Sequence, residues 1–384
     1  MTDLYIQMIF QDSYHDFLSS GAQVSAVQKK AARAIMQCKT PKAGYTISEC
    51  EECGHVEYHY NSCRNRNCPN CQALKKELWV DERSSEVIDA PYFHVVFTLP
   101  QELNPIIYND QKLLYNHLHR CCAETILELS ADRKYLGAEP GIIQVLHTWN
   151  QEIDYHVHMH CIVSGGGLTT ADKLVRSKDS FFIPVYVLRD KFKGKYLCGL
   201  RELYNAGKIS LPESLEHLKE SSAWDGFINE LYSKDWCPYI KSTFNGFGNA
   251  IEYLGKYTHK IAISNYRIIE ATEEDVIFSA RGLKKGDPRR EITLTREEFI
   301  RRFLMHVLPK GFQKIRYFGF LSNRKKKKKL ALIFKLQNGQ RFKAKYTDMT
   351  VAEMLKALFG TDIKCCPECA CVDSMRMIRK VPGS

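Results

Sequence analysis

The chain has 384 residues, 44% of them hydrophobic and 26% charged, which excludes a disordered chain and leaves room for two or three domains with cores of their own. A formal net charge of +11 and a pI near 8.9 favour a polyanionic partner. No apolar run is long enough to span a bilayer, and MTDLYIQMIF lacks the basic and apolar regions of a signal peptide, so a cytoplasmic protein with no membrane partner is expected.

Residues 4–36 read as two helical segments divided by Ser19, Ser20 and Gly21. Fifteen cysteines follow from Cys38 onward, and without a secretory leader their clusters read as metal ligands, not disulfides. In CEECGHVEYHYNSCRNRNCPNC, Cys50 and Cys53 form one CxxC and Cys68 and Cys71 a second, with a hairpin-sized segment between. Two such knuckles predict one closed tetrahedral thiolate site for Zn²⁺, with Cys63 as an alternate ligand and Cys38, His55 and His59 as weaker ones. Arg64 and Arg66 beside it supply charge suited to phosphate.

A helix over residues 72–87 leads to YFHVVFTLP, a β-branched and aromatic strand stopped by Pro100, and a helical region follows over 109–129. GIIQVLHTWN then joins a second strand through the turn QEID. In that second strand His156, His158 and His160 alternate with Val157 and Met159 before Gly165, Gly166 and Gly167 end the run. Period-two geometry sends Val157, Met159, Cys161 and Val163 to a core and the imidazoles to the opposite face, where two of them can chelate one divalent cation. The hairpin brings His147, Gln151 or Glu152 within reach as a third ligand, and His156 is a further candidate; the plain alternative is a half-exposed strand with surface histidines.

Over 169–235 the periodicity is mixed, a strand-like FFIPVYVL and then an amphipathic KFKGKYLCGLRELYNAG, which reads as an insertion with an exposed basic face. Asn249 and Glu252 then frame a predicted helix over 250–260, on which Tyr253 and Tyr257 lie one turn apart beside Lys256 and Lys260. On composition alone that pair is as well explained by an aromatic core stripe. Strands over 276–294 precede a helix capped by Thr295. In LPKGFQKIRYFGFLSNRKKKKK, Lys310, Lys314, Arg316 and Arg324 interleave with Phe312, Tyr317, Phe318 and Phe320, a composition suited to single-stranded nucleic acid; a bare lysine run by itself is more often a solvated loop. The tail carries Cys365, Cys366, Cys369 and Cys371, a weak zinc signal without a second pair.

HVVFTLP, HTWNQEIDYHVHMHCIVSGGGL, YLGKYTHKIAISNYRI and FIRRFLMHVLPKGFQKIRYFGFLSNR, in this order behind the CRNRNCPNCQ knuckle, resemble the rolling-circle transposases of the insertion sequence ninety-one family over about residues 10–330. The resemblance implies an α+β histidine-hydrophobe-histidine (HUH) nuclease, ferredoxin- or RRM-like, with an antiparallel sheet and helices on one face, joined to a small N-terminal zinc-binding domain. It implies domains over 1–85, 86–270, 271–350 and 351–384. It also implies Mg²⁺ or Mn²⁺ at His158 and His160, the nucleophiles Tyr253 and Tyr257, 5′-phosphotyrosine intermediates, and as partners the single-stranded DNA of transposon ends and target DNA, met at the nucleoid. Val157, Asn67 and Tyr45 depart from the usual pattern, the last two where the family often has histidine. A zinc-containing DNA-binding regulator without chemistry is the alternative from another class, and a metal-dependent hydrolase acting through water is a third.

Overall fold

The computed structural model describes residues 5–177, 183–236, 238–242, 255, 258, 261–282, 286–339, 341 and 343–383. The chain opens with α1 (Tyr5–Ser19) and α2 (Ala26–Gln37). The Ser25 hydroxyl accepts from Gln28 N and the Gln28 side chain accepts from Ser25 N, a closed capping box that fixes where α2 begins. A hairpin of β1 (Gly44–Cys50) and β2 (Val56–Tyr60) follows, and then α3 (Ala73–Ser84).

β3 (Tyr92–Thr98) starts the principal sheet. After α4 (Asn104–Asn109) and α5 (Gln111–Ala131) come β4 (Glu139–Trp149), β5 (Tyr155–Leu168) and the short β6 (Leu174–Arg176), then α6 (Val185–Asn205), α7 (Ser221–Ser233) and β7 (Tyr239–Ser242). With β11 (Ile315–Gly319) these strands form an antiparallel sheet in the order β11-β4-β5-β3-β7, with β6 on the end of β5. Gly319 lets β11 lie close to β4: it has φ +62, and a Cβ there would sit 1.7 Å from the Pro140 carbonyl oxygen.

The two faces of this sheet separate as the alternation in β5 predicts. Val157, Met159, Cys161 and Val163 join Phe93, Val95, Phe97 and Leu146 in a core closed by Tyr115 and Leu118 of α5 and Phe192 and Tyr196 of α6. Each large apolar side chain so buried contributes roughly 1.5–3 kcal/mol. A one-residue slip of β5 would expose all four and bury the imidazoles, so the core fixes the register that aims the histidines. The opposite face is not bare: Ile143, Val145 and Ile162 pack there with Leu330, Ile333 and Phe334 of α9 (Lys326–Leu336).

β8 (Ile268–Ala271), β9 (Asp275–Ala280) and β10 (Arg290–Thr295) make a second sheet, and α8 (Arg296–Met305) follows, its N-terminus capped by Thr295 accepting from Glu298 N. Phe278, Phe299 and Phe303 pack with Ile6, Ile9 and Phe10 of α1 in a separate core. After α10 (Val351–Phe359), β12 (Met375–Pro382) returns to pair with β1, giving the three-stranded order β12-β1-β2.

The protein is therefore an α+β chain, as expected, with four departures in detail. VYVL at 185–188 opens α6 instead of forming a strand, because Pro184 at the cap position suits a helix start. Residues 169–235 are not an accessory insertion, since α6 and α7 supply Phe192, Tyr196, Leu200, Trp224 and Ile228 to the main core. The boundary drawn at 270 does not separate units, because β11 pairs with β4 and α1 packs on α8 and β8. The lysine run is the first turn of α9, not a solvated loop, with Lys326 bonded to Glu86 and Lys329 to Glu139.

Two buried histidines outside the candidate site make stability depend on pH. His306 donates from Nε2 to the Ile153 carbonyl at 3.0 Å and has Thr148 Oγ1 3.1 Å from Nδ1; burial holds its pKa down at about 4. His119, beside the Gln144 side chain, is held at about 3 by burial and by Arg316. Both folded values lie below the ordinary 6.5, so the unfolded chain takes up more protons once pH drops below that value. Stability present above pH 6.5 is expected to fall as pH approaches 4. A urea midpoint that stays level from pH 7 to 4.5 would contradict this.

Candidate functional site

The register of β4 and β5 sets His147 directly across from His158 and Val145 across from His160. His147, His158 and His160 therefore share one face, and each offers a ring nitrogen such that the three lie within 4.8 Å of one another. Their rings are nearly perpendicular to their neighbours: 82° between His147 and His158, 71° between His147 and His160, and 75° between His158 and His160. Trp149 stacks on His147 at 4.4 Å and 21°, fixing that ring's plane.

Burial sets the charge of these groups. The His158 pKa is pushed down to about 4, chiefly by desolvation, although the bond to the His156 carbonyl opposes this, and Lys314 adds to the depression. His158 Nδ1 lies 3.0 Å from the His156 carbonyl oxygen and must carry the proton, so Nε2 keeps its lone pair. His160 Nδ1 lies 2.8 Å from Nε2 of His94, whose own pKa is held at about 4 by burial and Lys241. The hydrogen bond thus leaves Nε2 of His160 pointing away from His94. Imidazoles held in place by such hydrogen bonds, with a ring nitrogen left free of them on His158 and His160, are a set of metal donors.

Among the residues named from sequence, His158 and His160 come together, and the third member is His147. Glu152 lies outside the cluster, its carboxylate pairing with Arg290 at 2.7 Å, and Gln151 is exposed, its backbone carbonyl accepting from Arg267. His156 shares the face, its ring centroid 5.2 Å from that of His158, but is not part of the three-imidazole group. Nothing in YFHVVFTLP distinguishes His94; the β3-β5 register sets it across from Ile162, where its ring reaches diagonally to His160. Tyr253, Tyr257, Lys256 and Lys260 lie outside the described residues. Their described neighbours Gly255 and Thr258 are helical, and Gly255 abuts α3 so closely that a Cβ would meet Val80 Cγ2 at 2.4 Å.

Trp149, stacked on His147, also lines a cavity of about 670 Å³ bounded by Gln72 and Lys75, by Thr258, and by Lys314 and Arg316. Lys314 Nζ sits 4.9 Å over the Trp149 ring. The basic residues divide into two groups. Arg64, Lys310 and Arg324 are exposed. Arg66 is exposed too and lines the cavity, and it also donates to the carbonyls of Phe312 at 2.5 Å, Pro309 at 3.0 Å and Leu308 at 3.2 Å, tying two segments together. Arg316 donates to Asn116 and lies over Phe312. The expected base-stacking role of the interleaved aromatics is also corrected. Phe312 and Phe320 are buried, and the Tyr317 hydroxyl accepts from Trp79 and Arg83.

The cysteines also group differently from the predicted single site. Cys50 and Cys53 do not meet Cys68 and Cys71. Cys38, Cys63, Cys68 and Cys71 converge at the edge of the α1-α8 core, with Cys63 and Cys71 Sγ 3.7 Å apart. Cys50 and Cys53 converge instead with Cys366 and Cys369 of the tail. Cys63 and Cys38, ranked as alternates, thus stand among the converging thiols. Asn67 and Tyr45 occupy neither cluster.

Residues 9–99 match the family model described as a transposase zinc-binding domain, and residues 141–329 match the model described as a putative transposase. The putative transposase y4qJ of Sinorhizobium fredii is 36% identical over 373 residues, covering 94% of this chain and 92% of its own length. The transposase for insertion sequence element IS801 of Pseudomonas savastanoi pv. phaseolicola is 28% identical over 307 residues, covering 78% and 71%. No solved structure matches. The histidine strand falls within the second matched segment, and the tail cysteines fall outside both.

Proposed function

Since the chain belongs to the transposases of the insertion sequence ninety-one family that carry an N-terminal zinc-binding domain, we propose that it cuts and rejoins single-stranded DNA through tyrosine at the His147, His158 and His160 site. One observation carries this reading: three imidazoles converge on a sheet face, and Trp149, stacked on one of them, lines a cavity edged by Lys75, Lys314 and Arg316. His147, His158 and His160 would hold a divalent ion, which would supply Lewis-acid polarisation of the scissile phosphate. Mg²⁺ or Mn²⁺ at this site would take its remaining donors from water and phosphate oxygens.

Tyr253 or Tyr257 supplies the nucleophile. Its phenol loses a proton, the phenolate oxygen bonds to phosphorus, and the bond from phosphorus to the 3′ oxygen breaks, leaving a 5′-phosphotyrosine and a 3′-hydroxyl. The number of phosphoester bonds is unchanged, so strand transfer needs no nucleotide triphosphate. Lys256 and Lys260, one residue from the tyrosines or one turn beyond, serve to hold the phosphate. Arg64, Lys310, Lys314 and Arg324 serve the backbone of the strand, and Cys38, Cys63, Cys68 and Cys71 hold a structural zinc.

Incubating the protein with a single-stranded element end and denaturing in SDS tests this. The expected product is a covalent protein-DNA adduct that EDTA abolishes. A DNA-binding regulator gives neither adduct nor cleavage, and a hydrolase acting through water gives cleaved DNA without an adduct.

A further inference from the structure

We propose that Cys50, Cys53, Cys366 and Cys369 hold a second zinc ion, which fastens the C-terminal tail to the N-terminal domain. The inference rests on zinc being the metal of that domain and extends it to residues beyond both matched segments. Cys50 and Cys369 Sγ atoms are 3.7 Å apart, as are those of Cys53 and Cys366, and all four lie within 4.8 Å of one another. A ZnS₄ tetrahedron with bonds of about 2.3 Å has edges of roughly 3.8 Å, whereas a disulfide requires about 2.05 Å.

The backbone on both sides is shaped alike. In CEECG the Gly54 amide donates to the Cys50 carbonyl at 3.0 Å, and in CPECA the Ala370 amide donates to the Cys366 carbonyl at 3.0 Å. The residue after the second cysteine is left-handed in each, with φ 73 at Gly54 and 57 at Ala370. Glycine adopts this freely, but alanine does so at a cost, and a surrounding constraint must hold it there. Two matching knuckles facing each other present four thiols to one point.

The packing gives an independent reason. Among the described residues, the buried apolar cluster here consists of Cys50, Cys366 and Met375, and most of β12 is exposed. Three side chains bury too little surface to order a tail of this length, and small modules of that kind are held by metal. Binding removes the thiol protons and converts the ligand contacts into folding energy.

Metal analysis of full-length protein purified without chelator is expected to find two zinc ions per chain, and the Cys366→Ser, Cys369→Ser double variant one. Replacing zinc by Co²⁺ in the wild-type protein is expected to develop tetrahedral thiolate absorbance to two equivalents, so the count stands even if that variant folds poorly. An organomercurial is expected to release half of the zinc first, because Cys53 and Cys369 are exposed while Cys38 and Cys68 are buried. One zinc in the wild type, with Cys38→Ser removing it, overturns the second site and leaves the first. No zinc at all overturns both.

Discussion

His158→Ala and His160→Ala are each expected to lower cleavage of a single-stranded element end by about 10³-fold or more, while DNA binding stays within about threefold. Loss of Lewis-acid stabilisation costs several kcal/mol in the transition state, and each 1.36 kcal/mol is tenfold in rate. Affinity comes from exposed lysines and arginines that neutralise phosphates, so it should drop steeply with salt and little with these substitutions. His147→Ala should behave as they do, since the structure puts its ring nitrogen within 4.8 Å of theirs. Gel cleavage and fluorescence anisotropy on the same preparations separate the two effects, with thermal unfolding as the control for the cavity left in the sheet. Unchanged cleavage in excess EDTA would remove the metal from the mechanism.

The two tyrosines are expected to act in succession, so that Tyr253→Phe and Tyr257→Phe each reduce transposition in cells to background. One residue can retain the cleaved donor end while the other attacks the next strand, and a single in-line position cannot serve two phosphates at once. Phenylalanine keeps the ring and most of its packing, so what is lost is the nucleophilic oxygen. One single variant can still make a first covalent nick in vitro, but the double variant should form no SDS-resistant adduct. Wild-type transposition by both single variants, or an adduct from the double variant, would rule the scheme out.

Much of the histidine site was legible because a strand's period of two makes face and register follow from the same few residues. Val157, Met159, Cys161 and Val163 enter the core, and the imidazoles must then take the other face. His147 was within reach as soon as the hairpin was recognised, but choosing it over Gln151 and Glu152 needed the cross-strand pairing. The cysteines were misgrouped for a different reason. CxxC spacing identifies a knuckle but says nothing of which knuckle it meets, and the knuckle that meets Cys53 contains Cys366, 313 residues away. Arg66, Phe312 and Phe320 look like nucleic-acid contacts in a list of residue types. In the fold the two rings face inward, while the arginine stays exposed and also binds carbonyls of the 308–312 segment.

The pairing of β12 with β1 has a consequence for synthesis. β1 and β2 leave the ribosome long before β12, but a two-stranded hairpin alone is marginal in water, and its third strand is Met375–Pro382. At ~5–20 residues per second, on the order of 15–65 s separates the completion of β2 from that of β12. Through that interval the N-terminal sheet keeps an open edge, and a nascent or prematurely terminated chain cannot close it. Completion of the N-terminal sheet thus waits until translation has passed β12, and a product cut short before Met375 lacks that sheet's third strand even though its N-terminal sequence is intact.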